Sequence, residues 1–145
     1  MNVEHILANK GREVCTITPE ATVSDALHRM RDEKVGALVV SADGDRIAGI
    51  ISDRGIMWAL ADHGTKVLSA SVDSVMTEKV FTCSRDDQVS AIMALMTKRR
   101  IRHVPVVEQD GRLCGMISIG DVVKQRLEEI QSEADALREY VTSAM

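Results

Sequence analysis

The sequence repeats itself. A shift of 66 positions lays Val14 on Val80, Thr16 on Thr82, Val23 on Val89, Ser24 on Ser90 and Met30 on Met96. Without a gap, the same shift lays Val40 on Val106, Arg46 on Arg112, Gly49 on Gly115, Ile51 on Ile117 and Ser52 on Ser118. Each copy of such a repeat is one supersecondary unit that buries its apolar face against its twin. The chain is thereby held to two similar units about a pseudo-two-fold axis, with any site between them. The copies end differently. Gly115-Met116-Ile117-Ser118-Ile119-Gly120-Asp121 carries a carboxylate where Gly49-Ile50-Ile51-Ser52-Asp53-Arg54-Gly55 carries a glycine.

Apolar periodicity assigns the elements. Val3, Ile6 and Leu7 lie on one side of a short helix over about 2–10, ended by Gly11. Val14 to Ile17 reads as a strand. Val23, Ala26, Leu27 and Met30 are spaced i, i+3, i+4, i+7, one face of a helix from Thr22 to Lys34 that Gly36 breaks. Ala37–Val40 and Ile47–Ile51 form a strand pair about Asp43-Gly44, and a helix runs from Ser52 to Gly64. The second copy retraces this order. Val80–Cys83 is a strand, and Val89, Ile92, Met93 and Met96 mark a helix. Val104–Val107 and Leu113–Ile117 pair about Asp110-Gly111, and a last helix spans about Ile119 to Val141. Pro105 lacks an N–H for a ladder, so its strand is expected to be short or at an edge. The class is α+β (or α/β with small sheets), each repeat reading β-α-β-β-α. The expected division is 1–71 for the N-terminal helix and first repeat, and 72–145 for the second repeat and its long helix. The connector from Thr65 to Thr77 is not Gly/Ser-rich, so the halves are not expected to swing freely.

A chain of 145 residues makes one compact domain or two halves sharing a core. With 2% aromatic residues, that core must be Val, Ile, Leu, Met and Ala. A net charge of −4 argues against broad nucleic-acid binding, which needs Lys and Arg to neutralise phosphates. The N-terminus lacks a signal-peptide pattern. No apolar run approaches the roughly 20 residues that span a bilayer, so a cytoplasmic location is expected. Cys15, Cys83 and Cys114 have no C-x-x-C spacing and read as small apolar core side chains. The histidines are scattered, and no metal is expected.

Several spaced signals together resemble a tandem pair of cystathionine-β-synthase-type (CBS) domains. They are the two β-α-β-β-α copies, the runs from Val35 (Val-Gly-Ala-Leu-Val-Val), Ile101 (Ile-Arg-His-Val-Pro-Val) and Gly115 (Gly-Met-Ile-Ser-Ile-Gly-Asp-Val), and the Val75-Met76-Thr77 introduction. The opening Ile6-Leu7-Ala8-Asn9-Lys10-Gly11 resembles that of stand-alone bacterial CBS pairs. The resemblance implies a regulatory module that binds AMP, ADP, ATP, NAD(H) or S-adenosylmethionine.

Ser118 and Asp121 have the spacing of a capping box, which satisfies backbone N–H groups at a helix start. The resemblance implies instead that Asp121 accepts hydrogen bonds from ribose hydroxyls, and the same helix end can attract a phosphate. It further implies that Thr18 meets the base, that Val23, Val35, Gly36 and Ala37 line an adenine slot, and that Ile117 and Ser118 flank it. Arg102 and His103 match phosphate-contacting positions. They close the basic run from Lys98, whose first members Lys98 and Arg99 are expected to be solvated surface residues. A guanidinium suits phosphate because its planar donors bind two oxygens. A second cleft would use Ser84, Val89, Ile101 and Ser52, with Arg54 near a phosphate. It has Gly55 at its ribose corner, and Asp53, about 200° round the helix, should not substitute. This cleft is expected to be weaker or empty.

Val123, Leu127, Ile130, Ala134, Leu137 and Val141 recur at alternating steps of four and three, a coiled-coil-like stripe. It would pack on its own domain, against Val3, Ile6 and Leu7, or on a partner helix; the resemblance favours a homodimer. There is no nucleophile elbow, P-loop or G-x-G-x-x-G after a strand, so no catalysis is expected. The expected function is a non-catalytic energy or redox sensor acting on an unidentified regulated protein. The alternative is a dimeric assembly module with vestigial clefts.

Overall fold

The computed structural model describes residues 1–144. The elements run α1 (Val3–Lys10), β1 (Thr16–Ile17), α2 (Val23–Glu33), β2 (Ala37–Val40), β3 (Gly49–Ser52), α3 (Asp53–His63), a 3-10 turn (Thr65–Ser69), α4 (Val72–Val75), α5 (Val89–Arg99), β4 (His103–Val107), β5 (Leu113–Ser118) and α6 (Ile119–Ala144). The fold is α+β, with the N-terminal helix and the long C-terminal helix that the periodicity predicts.

Local chemistry sets the helix limits. Thr22 and Asp25 close a capping box at the start of α2, and Val23, Ala26 and Met30 form its buried face. Gly36 does not stop this helix. Lys34 does, in the left-handed conformation at φ 56°, and its repeat mate Arg100 ends α5 at φ 53°. Glycine is the usual residue there. In both copies a cation stands in its place, beside the cleft described below.

The first sheet has the order β1-β2-β3, with β1 parallel and β3 antiparallel to β2. The second sheet is only the β4-β5 hairpin. The expected strand Val80–Cys83 shrinks to one bridge between Cys83 and Val106. In the first repeat, the Val39 and Ser41 N–H groups donate to Cys15 and Ile17 carbonyls at 3.1 and 2.9 Å. Val39's mate is Pro105, which has no N–H to donate, so the pairing keeps only the two bonds of Cys83, its carbonyl accepting from the Val107 N–H at 2.9 Å and its N–H donating to the Pro105 carbonyl at 3.0 Å.

Two apolar cores lie side by side, and each is covered by the arm preceding the other repeat. Val3, Ile6 and Leu7 of α1 pack with Val89, Ile92, Met96, Val104, Ile117 and Val122 of the second repeat. Val72, Val75 and Met76 pack with Val23, Met30, Leu38, Ile51 and Ile56 of the first. Gly115 and Gly49 admit these arms. A Cβ on Gly115 would stand 2.7 Å from Leu7, and one on Gly49 would stand 2.5 Å from the Met76 sulfur. The exchange locks the halves together without a rigid linker.

The helix α6 buries Val122 and Gln125, while the stripe from Val123 to Val141 stays exposed apart from the half-buried Ala134. The side facing its own domain is therefore not the stripe. Among the described residues, no helix is long and apolar enough to cross a membrane.

Candidate functional site

A cavity of about 430 Å³ opens between the repeats. One wall is Val14, Cys15 and the segment Lys34-Val35-Gly36-Ala37; the other is Arg102, His103, Met116 and Ser118-Ile119-Gly120, with Lys10 and Glu13 at the edge. Six of the residues expected at this site meet here: Val35, Gly36, Ala37, Arg102, His103 and Ser118. Val23 and Ile117 are fully buried in the two cores beneath the walls, so they shape the cleft without facing it. Thr18 is exposed just past β1, outside the cavity lining. A Cβ on Gly36 would stand 3.3 Å from Asp53 Oδ2 and 3.4 Å from His103 Cε1, so the bare backbone here keeps the slot open.

Asp121 closes the capping box of α6. The Ser118 N–H donates to Asp121 Oδ2 at 2.9 Å, and the Asp121 N–H donates to Ser118 Oγ at 3.2 Å. Lys10 Nζ, reaching back from the end of α1, donates to the same carboxylate oxygen at 2.6 Å and to the Met116 carbonyl at 2.9 Å. Partial burial works to raise the Asp121 pKa, but the hydrogen bonds and charge of Lys10 together with the Ser118 contacts hold it below the ordinary carboxylate value. Asp121 does not line the main cavity. It faces a neighbouring space of about 350 Å³ between α1 and α6, and Lys10 borders both spaces. The Lys10–Asp121 pair is thus the partition between them. The sequence reading leaves Lys10 out of the site, although its pairing with the helix-ending Gly11 in the opening pattern offered a signal.

Arg102 is also engaged. Its Nη2 donates to Asp53 Oδ1 at 2.6 Å, at the first turn of α3. The mates of these two residues obey the same backbone geometry: the Asp53 N–H donates to the Gly36 carbonyl at 3.0 Å, and the Ile119 N–H to the Arg102 carbonyl at 2.8 Å. His103 sits at the pseudo-axis and borders both clefts. Burial lowers its pKa, and Arg102 and Lys10 lower it further against the opposing pull of Asp53 and Asp121.

The second cleft, about 160 Å³, is the repeat image of the first. Ser52, Arg54 and Ile101 line it, with Val80, Phe81, Thr77, Lys79 and Arg100. Val89 is buried in the second core, and Ser84 lies at a separate surface hollow beside Arg85 and Glu108. Ser52 Oγ accepts from the Gly55 N–H at 3.0 Å, which is half a capping box, since Gly55 has no carboxylate to return. Lys98 and Arg99 are exposed, and Arg99 lies over the Phe81 ring at 4.9 Å.

The duplicated architecture agrees with the comparison to known proteins. The CBS domain matches this chain twice, over residues 4–62 and 72–128. The chain belongs to the CBS-domain family. It is 35% identical over 147 residues to the mitochondrial CBS domain-containing protein CBSX3 of Arabidopsis thaliana, covering 96% of this chain and 71% of that protein. The crystal structure of the CBS-domain protein ATU1752 from Agrobacterium tumefaciens superposes with a TM-score of 0.83 at 42% identity, over 87% of this chain and 99% of that one. Two more distant structures share the fold. CBSX2 in complex with AMP has a TM-score of 0.72 at 24% identity, over 88% of this chain and 96% of that one. The CBS pair of MJ0100, in complex with 5-methylthioadenosine and S-adenosyl-L-methionine, has a TM-score of 0.78 at 23% identity, over 89% of this chain and 98% of that one.

Proposed function

We propose that this CBS pair is a non-catalytic sensor of an adenine nucleotide, AMP, ADP, ATP or NAD(H), bound in the 430 Å³ cleft. The observation that carries the reading is the form of that cleft: a slot floored by Gly36 and Ala37, ending at the capped N-terminus of α6 and edged by Lys10, Lys34 and Arg102. A flat apolar base fits beside Val35 and the small residues. A phosphate fits the cations and the helix end. Asp121 takes the ribose hydroxyls once Lys10 swings aside to the phosphate. Thr18 reaches the base from the rim, and Val23 and Ile117 set the depth of the slot from below. The ligand acts by favouring one of two arrangements of a homodimer, or of a regulated protein bound to it. Met57 and Trp58 on α3 are exposed, as is Val123, the repeat mate of Met57 on α6, and these side chains supply the start of a dimer surface. The three unpaired cysteines suit a reducing compartment such as the cytoplasm.

One observation favours a second reading, an assembly module with vestigial clefts. Both expected ligand-binding charges are already satisfied within the chain, Asp121 by Lys10 and Arg102 by Asp53. Calorimetric titration of AMP, ADP, ATP, NADH and S-adenosylmethionine separates the two. The sensor requires saturable binding near one site per chain. Silence across the panel with folded protein establishes the assembly module and leaves Asp121 a helix cap.

A further inference from the structure

The geometry points to a parallel two-stranded coiled coil between the α6 helices of two copies of this chain, an inference that rests on the homodimer reading above and gives it a direction. Val123, Leu127, Ile130, Leu137 and Val141 are 46%, 61%, 47%, 63% and 50% exposed along one face of a 26-residue helix. With Ala134 they fill every core position of a heptad repeat, alternating d and a from Val123 to Val141. This face is roughly 120° round the helix from Val122 and Gln125, which hold α6 to its own domain. Beyond Gln125 no described residue of α6 is buried, so the distal half of the helix projects with nothing of its own chain to cover it.

The flanking charges select the occupant and its direction. The g positions are Arg126, Glu133 and Tyr140, and the e positions are Lys124, Gln131 and Arg138. In a parallel pair, each g residue meets the e residue of the next heptad on the other helix. Glu133 then meets Arg138 of the second copy, twice by symmetry, and Arg126 meets Gln131. An antiparallel pair aligned on the same apolar residues would set Glu133 against Glu133, and Lys124 against Arg138. Within the chain, Arg126 pairs with Glu129 and Gln131 with Asp135, while Glu133 and Arg138 make no ion pair or hydrogen bond among the described residues. Five residues apart, they sit on opposite flanks of the stripe and cannot reach each other. Their complementarity is fulfilled only across a parallel interface. Such an interface brings the two Asp121 helix starts to the same end of the dimer, so the nucleotide clefts of both copies open on one side.

Charge reversal and directed cross-linking of the full-length protein test this. In sedimentation experiments, Glu133→Arg and Arg138→Glu should each weaken the dimer about tenfold, and the double variant should recover most of that loss. Val141→Cys should form a covalent dimer in oxidised glutathione, while Glu139→Cys, on the outer face, should not. A dimer that ignores both reversals and leaves Val141→Cys uncross-linked overturns the parallel coil but leaves dimerisation through another surface standing. A chain that stays monomeric at every concentration overturns the coil and the homodimer together.

Discussion

The two clefts are built on the same backbone plan, yet one holds about 430 Å³ and the other about 160 Å³. The repeat shift shows why. Gly36 and Ala37 face Arg102 and His103 as mates, Cys15 is replaced by Phe81, and Gly120 by Arg54. Phe81, Arg54, Arg100 and Ile101 are each larger than their mates Cys15, Gly120, Lys34 and Val35, and Arg99 lies over the Phe81 ring. Its lining also holds four cations, Arg54, Lys79, Arg100 and Arg102, without a carboxylate. The first cleft has room and mixed charge, with the Lys10–Asp121 pair partitioning it from the neighbouring space. Duplication preserved the frame, while substitution at a few positions made one cleft a pocket and the other a filled seam. Arg102 and His103 belong to both, so whatever enters the first cleft touches the packing of the second.

Four experiments would break or sharpen that contrast. The largest effect is expected from Gly36→Ile, which brings a branched side chain into the slot and should abolish nucleotide binding, a loss beyond about a hundredfold, with the fold intact by circular dichroism. If binding survives, the ligand does not use this slot. Asp121→Ala comes next. Under the sensor reading it removes the proposed charge-assisted ribose contact, worth roughly 1.5–3 kcal/mol, about ten- to a hundredfold in affinity by calorimetry. It also removes a helix cap at about 1 kcal/mol of stability in denaturant melts. A stability loss without an affinity loss would make Asp121 a cap alone.

Gly55→Asp is smaller and more discriminating. It completes the half-built capping box with Ser52 and should stabilise the protein by about 0.5–1 kcal/mol, without creating a second binding site, because Phe81 and Arg102 still occupy the space. A stoichiometry rising to two per chain would show that the acid alone distinguishes the clefts. The smallest effect concerns pH. His103 has a lowered pKa in the folded protein, so below its ordinary value of 6.5 the unfolded chain takes up a proton that the folded chain resists. Stability should therefore fall as pH drops through that value towards the lower folded one, and His103→Gln should flatten this slope in thermal melts between pH 7.5 and 5.5. An unchanged slope would assign the acid sensitivity elsewhere.

Much of the fold was legible because its signals are local. Periodicity located α2 and α5, and Asp43-Gly44 and Asp110-Gly111 located the hairpins. The second repeat's first strand was not legible from Val80–Cys83 itself, since its apolar pattern is sound; the missing donor is on Pro105, in another segment. Expected residues reach the cavity where they follow one another along the chain, at Val35 to Ala37, at Arg102 and His103, and at Ser118, whereas Lys34 was not among them. Lys10 and Asp53 were not placed in the site. Each bonds a residue remote in sequence, Asp121 and Arg102, and single-chain spacing carries no record of such encounters.

The sequence by itself determined the duplication, the element types, the missing acid at Gly55 and the heptad stripe of α6, all written in spacings of a few residues or in one constant shift. Tertiary structure alone decided that each arm covers the other repeat's core and that Lys10 and Asp53 satisfy the site's charges. It also decided that Phe81 and Arg54 meet in the second cleft and narrow it. These outcomes depend on which surfaces meet once both units fold. Volume and charge act through space, and the chain's order does not fix which distant atoms become neighbours.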